Sequence, residues 1–163
     1  MKTDIICSLN TSKGLKAIGF NKVVGQAYTT DFRYKGKHIS FEKELDLKAE
    51  GKENEIEEVP FGDLVFINNR NSDHDEWTCS APLIYEVITW LKEQRNIIIS
   101  VEPKFDIDSN MTIYFGKAYY FDANKKAYNE LPINKTFESM EKAIDFAILC
   151  AIDHIKISEK MND

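Results

Sequence analysis

Asp73, His74, Asp75 and Glu76, with Cys79 close behind, are the densest run of potential ligands in this chain. A zinc or hard-cation site needs three or four such groups converging on one ion at ~2.0–2.6 Å. Residues adjacent in a loop seldom converge without help, so the plainer reading is a solvated loop. If the loop did hold a metal, the chemistry would be metal-dependent hydrolysis. Cys150 and His154 stand four apart on a helical pattern and so share a face. That spacing can hold a metal or pair a thiol with a base. Both sit at the margin of an apolar stripe, where a core cysteine beside a half-buried histidine is the commoner outcome. Tyr114, Phe115, Tyr119, Tyr120 and Phe121 crowd one strand-like run. Aromatic rings on a strand can stack bases, but Lys104, Lys117, Lys125 and Lys126 are a thin basic complement. The chain has no phosphate-binding glycine loop, no H-E-x-x-H, no G-x-S-x-G and no paired CxxC. No catalytic residue and no cofactor is assigned.

The elements that must position these groups are clearest between Ser80 and Lys156. Ser80 is a capping candidate, with Pro82 in the first helical turn. Leu83, Val87, Trp90 and Leu91 then recur on one helical face, widened by Ile84 and Ile88, until Asn96. Ile97–Val101 is a β run that Pro103 ends or marks as an edge. Met111–Phe121 is the longest strand candidate, and Ala127–Leu131 a short third one. Thr136 is the cap candidate of a last helix whose stripe is Phe137, Met140, Ile144, Ile148, Ala151, Ile152 and Ile155. Phe146 and Leu149 miss that stripe and project oppositely, among Lys142, Asp145 and Asp153. Either the N-terminal half covers them or a partner does, and a two-fold homodimer would bury both.

Upstream, Leu9–Ile18 reads as a short helix closed at Gly19. Val23–Tyr34 reads as a strand with Tyr28, Thr30 and Phe32 on one face, and His38–Phe41 as its return across Lys35-Gly36-Lys37. Glu42–Glu58 reads as a strand end and loop. Pro60–Asp63 is a break, Leu64–Ile67 a buried strand and Asn68–Glu76 a surface loop. The expected fold is α+β: an antiparallel sheet with the two amphipathic helices on one face, in the order (short α)-β-β-β-α-β-β-(β)-α. The chain reads as a single domain, 1–163. Its N-terminal portion, 1–78, carries an acidic loop, and the helix–strand–helix module is 79–156.

Charge is uneven. Residues 1–38 carry seven Lys/Arg against two acids, whereas residues 39–80 carry four against twelve. The whole chain has a net charge of −6. An acidic middle argues against a protein that wraps nucleic acid, because phosphate affinity rests on Lys/Arg. No apolar run is long enough to span a bilayer, and Met1–Leu9 lacks the marks of a secretory leader. Three widely spaced cysteines, Cys7, Cys79 and Cys150, point to a reducing compartment rather than a disulfide framework.

The segment SAPLIYEVITWLKEQRNI, the two strands after it and the terminal TFESMEKAIDFAILCAIDHI helix resemble a family of small uncharacterised phage- and prophage-encoded proteins. The matching residues are Ala81, Pro82, Trp90, Leu91, Asn96 and Ile97, then Thr136, Phe137 and Glu138. Ser8, Leu9, Lys13, Leu15, Lys16, Gly19 and Phe20 match near the start. The likeness covers about 8–28 and 79–156. The family's first helix is more polar than Leu83, Ile84, Tyr85 and Ile88 make this one. The resemblance implies a phage or prophage setting, in the cytoplasm of a bacterial host or infected cell, and no particular chemistry. The element order is also similar to that of double-stranded-RNA-binding domains. Those start their last helix with a basic cluster, where this chain has Thr136-Phe137-Glu138-Ser139-Met140-Glu141. The expected function is a non-enzymatic accessory protein working through protein contacts. The alternatives are a nucleic-acid-binding module and a metal-dependent hydrolase built on 73–76.

Overall fold

Ser8 opens the first helix by turning its hydroxyl back to the Thr11 N–H at 3.3 Å, satisfying one of the donors a helix start leaves without an intrahelical partner. That helix, α1, runs Leu9–Ala17, and Gly19 takes the left-handed turn (φ 83°) that ends it. The computed structural model describes residues 6–70 and 78–162. It is α+β, with the expected order of elements, and its strands fall into two antiparallel sheets. The chain divides into two units, Met1–Asn21 with Pro82–Asp163, and Lys22–Ala81. No helix among the described residues is long and apolar enough to cross a membrane.

The Lys22–Ala81 unit is built around β1, Val24–Tyr34. Lys35 (φ 52°) and Gly36 (φ 75°) both adopt positive φ, the geometry of a tight primed hairpin turn, and return the chain as β2, Lys37–Ile39. On the other edge of β1 lies β3, Ile56–Arg70. The short β4, Thr78–Ser80, pairs with β1 at Ala27–Thr29. Three sequence expectations need correction here. The first concerns Pro60–Asp63, which does not break the strand. Pro60, Phe61 and Gly62 fall where the ladder shifts between Val59↔Asp31 and Asp63↔Thr29. A bulge on an edge strand tolerates a proline that has no N–H to offer. The same shift breaks the alternation in β1, so the adjacent Asp31 and Phe32 are both buried. The second concerns Glu42–Glu58, which holds a helix, α2, Phe41–Ala49. Ser40 caps it by accepting from the Lys43 N–H at 3.2 Å, Glu42 and Glu44 lie in its first turn, and Gly51 follows its end with φ 76°. Among its described side chains Leu47 is buried and so, unusually, is Glu44, whose carboxylate is paired with Lys48. The third concerns Ser80, which lies in β4 and does not cap a helix.

The other unit carries the second sheet: β5 (Ile97–Asp106), β6 (Met111–Asp122) and β7 (Ala127–Glu130), in that spatial order. A two-residue strand, β8 (Thr136–Phe137), pairs with β6 at Tyr114 and Phe115. Helix α3, Ile84–Arg95, is capped at Leu83, whose N–H donates to the Glu86 carboxylate at 3.2 Å. It ends at Asn96 in the left-handed region (φ 51°). Helix α4, Met140–Asn162, begins after Ser139, whose hydroxyl accepts from the Lys142 N–H at 3.3 Å. Thr136 is thus a strand residue and Ser139 the cap. The buried face of α4 is Ala143, Ala147, Ile148, Ala151, Ile152 and Ile155, rotated from the expected stripe toward the alanines. Small residues are needed there because β6 passes at Gly116 and α1 at Gly14. A Cβ built on Gly14 would lie 3.1 Å from the Ile152 side chain.

Candidate functional site

Asp145 fastens α1 to the side of α4. Its Oδ1 accepts from the Ser8 N–H at 2.9 Å, and its Oδ2 from the Ser8 hydroxyl at 2.6 Å and the Thr11 hydroxyl at 3.0 Å. A carboxylate suits this place, since the first turn of α1 presents N–H groups and the positive end of the helix dipole. The chain entering α1 is held as well. Ile6 bridges to Leu83, and the Cys7 N–H donates to the Pro82 carbonyl at 2.9 Å. Ile6 and Ile84 therefore come to rest along one flank of α4. On the other flank β8 brings Phe137, whose ring lies 5.3 Å from that of Phe146. Lys135 extends its ammonium over both rings, 4.8 Å from Phe146 and 5.2 Å from Phe137.

Between the flanks runs a groove of about 480 Å³. Ile6, Ile84, Phe137, Phe146 and Leu149 give it apolar walls, and Ser8, Asn10, Glu141, Lys142 and Asp145 rim it. Phe146 and Leu149 are each half-buried. The structure thus brings together the two residues that the helical pattern leaves unassigned. The N-terminal segment forms one wall beside them. The Ser8 hydroxyl is committed to Asp145 and to capping, and the apolar walls suit this surface to binding. Compared with known proteins, the chain matches no family model, no curated protein and no solved structure. The function must therefore be read from the surface itself.

The remaining candidates separate in space. Asp73, His74, Asp75 and Glu76 lie outside the described residues. Among the described residues no three His, Cys, Asp or Glu groups are placed to hold a metal. Cys150 and His154 share a face of α4, but their chemistry is wrong for a thiolate–imidazolium pair. Burial, aided by Asp153, pushes the Cys150 thiol up, and burial pushes the His154 imidazole down. Both shifts favour the neutral forms. His154 packs on the Tyr120 ring, with centroids 4.3 Å apart, and is half-buried. The aromatic run on β6 is split by strand alternation. Tyr114 and Tyr120 share a face with Gly116 and Ala118, against α4, while Phe115, Tyr119 and Phe121 take the other. On that second face Lys117 is held by Glu102 at 2.8 Å and Glu130 at 3.6 Å, leaving it poorly disposed toward phosphate.

One cluster in the Lys22–Ala81 unit is absent from the sequence reading. Asp31 is 2% exposed, with Oδ1 2.5 Å from His38 Nδ1 and Oδ2 2.6 Å from Arg33 Nε. The clue lay in the turn. A primed hairpin at Lys35-Gly36 sets His38 opposite Arg33, on the face that also carries Asp31. The hydrogen bond from His38, with Arg33 adding to it and burial opposing, holds the Asp31 carboxyl below the usual aspartate range. A depressed folded-state pKa adds stability above the unfolded value of ~3.9, and that stability drains away as pH falls through the folded one. Urea midpoints of the wild type should therefore keep this contribution from pH 7 down to about 4 and lose it as the pH falls further. In Asp31→Asn the pH 7 midpoint should be lower and the acid drop smaller. An equal acid drop in both proteins would place the pH dependence elsewhere.

Proposed function

We propose that this chain is a non-enzymatic accessory protein of phage or prophage origin, acting in the bacterial cytoplasm by binding protein through the α4 groove. The observation that carries the reading is the groove itself. Two large apolar residues on the outward side of α4, Phe146 and Leu149, are joined there by Phe137, Ile84 and Ile6 inside a charged rim. An apolar centre with a polar rim is the usual anatomy of a protein contact. The phage or prophage setting is supported by the Ala81-Pro82…Trp90-Leu91…Asn96-Ile97 pattern and the Thr136-Phe137-Glu138 segment. Nucleic-acid binding is disfavoured by the pairing of Lys117 with two carboxylates.

The test uses Phe146→Ser/Leu149→Ser. Wild type and variant, each checked for folding by circular dichroism, are used as baits in host lysate, and their own mass is measured by light scattering. The proposal expects a self-association or a specific capture that the folded variant loses. If the wild type is monomeric and the variant is badly destabilised, the two residues are ordinary core and the proposal falls. A hydrolase and nuclease screen with divalent cations, run beside a chain lacking His74 and Asp75, covers the competing class. Activity that disappears in that variant would replace this reading with an enzymatic one.

A further inference from the structure

We infer that the occupant of the groove is a second copy of this chain, bound through an antiparallel, two-fold pairing of α4 with α4. The inference rests on the protein-contact reading above and names its partner. Lys142, Phe146, Leu149 and Asp153 follow one another at spacings of four, three and four, the alternation of a seam that faces another helix. At roughly 100° per residue these four cluster on the side of α4 away from Ala143, Ala147 and Ala151. Lys142 and Asp153 are exposed, and among the described residues neither forms an ion pair within the chain.

The order of the four residues is self-complementary in one direction only. An antiparallel pairing centred between Ala147 and Ile148 sets Phe146 against Leu149 of the partner subunit. The same register sets Lys142 against Asp153 of the partner subunit. The two-fold axis repeats both contacts, giving two apolar pairs flanked by two ion pairs. A parallel pairing would put Lys142 beside Lys142 and Asp153 beside Asp153, which repel. Antiparallel seams alternate their layers in this manner, so helix spacing and charge order agree on one register. An isologous interface also lets this small patch serve twice.

Charge reversal tests the register without touching the core. Sedimentation equilibrium should find the wild type dimeric, with Lys142→Asp and Asp153→Lys each weakening the dimer roughly tenfold or more, since each creates two like-charge contacts. The double reversal should return the dissociation constant to within about threefold of wild type, because the pair is restored with its sign exchanged. Thermal melts at low concentration confirm that each variant folds. A dimer indifferent to the single reversals, or one the double reversal does not rescue, overturns this register. A monomeric wild type overturns the dimer. In that case a photo-crosslinker at position 149 separates the two readings. Crosslinking to a different chain leaves the protein-contact reading standing, and no crosslink removes both.

Discussion

Gly116→Ala will destabilise the Pro82–Asp163 unit by about 3 kcal/mol or more, the upper part of the range for forced overpacking. Gly116 lies on β6 where α4 crosses it. A methyl group built there would stand 2.0 Å from the Ala143 carbonyl oxygen, 2.9 Å from its carbon and 3.0 Å from the Ala147 Cβ. The first two atoms are backbone, so no rotamer relieves the contact. Either α4 moves away from the sheet as a body or β6 bends. Both open the packing of Ala147, Ile148 and Ala151, which are fully buried. Moving the helix would also drag Asp145 from Ser8 and Thr11, so α1 should loosen with it. Urea denaturation at neutral pH measures the loss. Ala147→Gly in the Gly116→Ala background should recover little, because the nearest clash is with the main chain. A Gly116→Ala protein within about 0.5 kcal/mol of wild type, the range of an ordinary surface substitution, would show that α4 does not sit on Gly116.

That contact explains where sequence patterning succeeded and where it stopped. The helix 84–95 was legible because Val87, Trp90 and Leu91 recur at helical spacing and Asn96 supplies a left-handed stop. The order of β5, β6 and β7 was legible from turn residues such as Asp108-Ser109-Asn110, where Asp106 accepts from the Ser109 N–H and hydroxyl. The phase of α4 was harder. Large residues such as Met140 suggest a core face, yet Met140 is exposed and the alanines are buried, since a close helix–sheet crossing wants small side chains. Helix α2 was missed because its buried face contains Glu44, a residue that hydropathy counts as surface. Its Lys48 partner four residues on makes burial tolerable, and that pairing was readable from spacing alone. Of the groove, the sequence shows only α4's share. Phe146 and Leu149 stand out as unassigned, but Ile6, Ile84 and Phe137 reach the same place through tertiary contacts that no local periodicity encodes. The Asp31 cluster was masked for a different reason, because Asp31 and Phe32 are adjacent and both buried, a pattern that strict alternation does not predict.

Trp90→Ala should cost about 3–5 kcal/mol, the range for deleting a buried aromatic. Trp90 is 4% exposed, and its ring meets Phe20 edge-on with centroids 5.3 Å apart. Phe20 is itself placed by the close of α1, where its N–H donates to the Leu15 carbonyl at 3.0 Å beyond the left-handed Gly19. Arg95 covers the indole at 5.6 Å, while its guanidinium donates to the Ile18 carbonyl at 2.6 Å and pairs with Glu159 at 2.7 Å. Trp90 thus sits where the end of α1, the middle of α3 and the last turns of α4 are held in common. Its deletion removes a large apolar surface and leaves Phe20 and Arg95 without their shared support. The chain's other tryptophan is Trp77, so a Trp77→Phe background isolates the signal of Trp90. In that background the emission should be blue-shifted when folded and move red on unfolding. Phe20→Leu should cost less than Trp90→Ala, and the double variant should cost less than the sum, since an aromatic pair carries a coupling of ~0.5–1.5 kcal/mol beyond its burial. An additive pair would remove the coupling between Phe20 and Trp90, and a Trp90→Ala protein that melts with the wild type would mean that the indole faces water and that the phase of α3 is wrong.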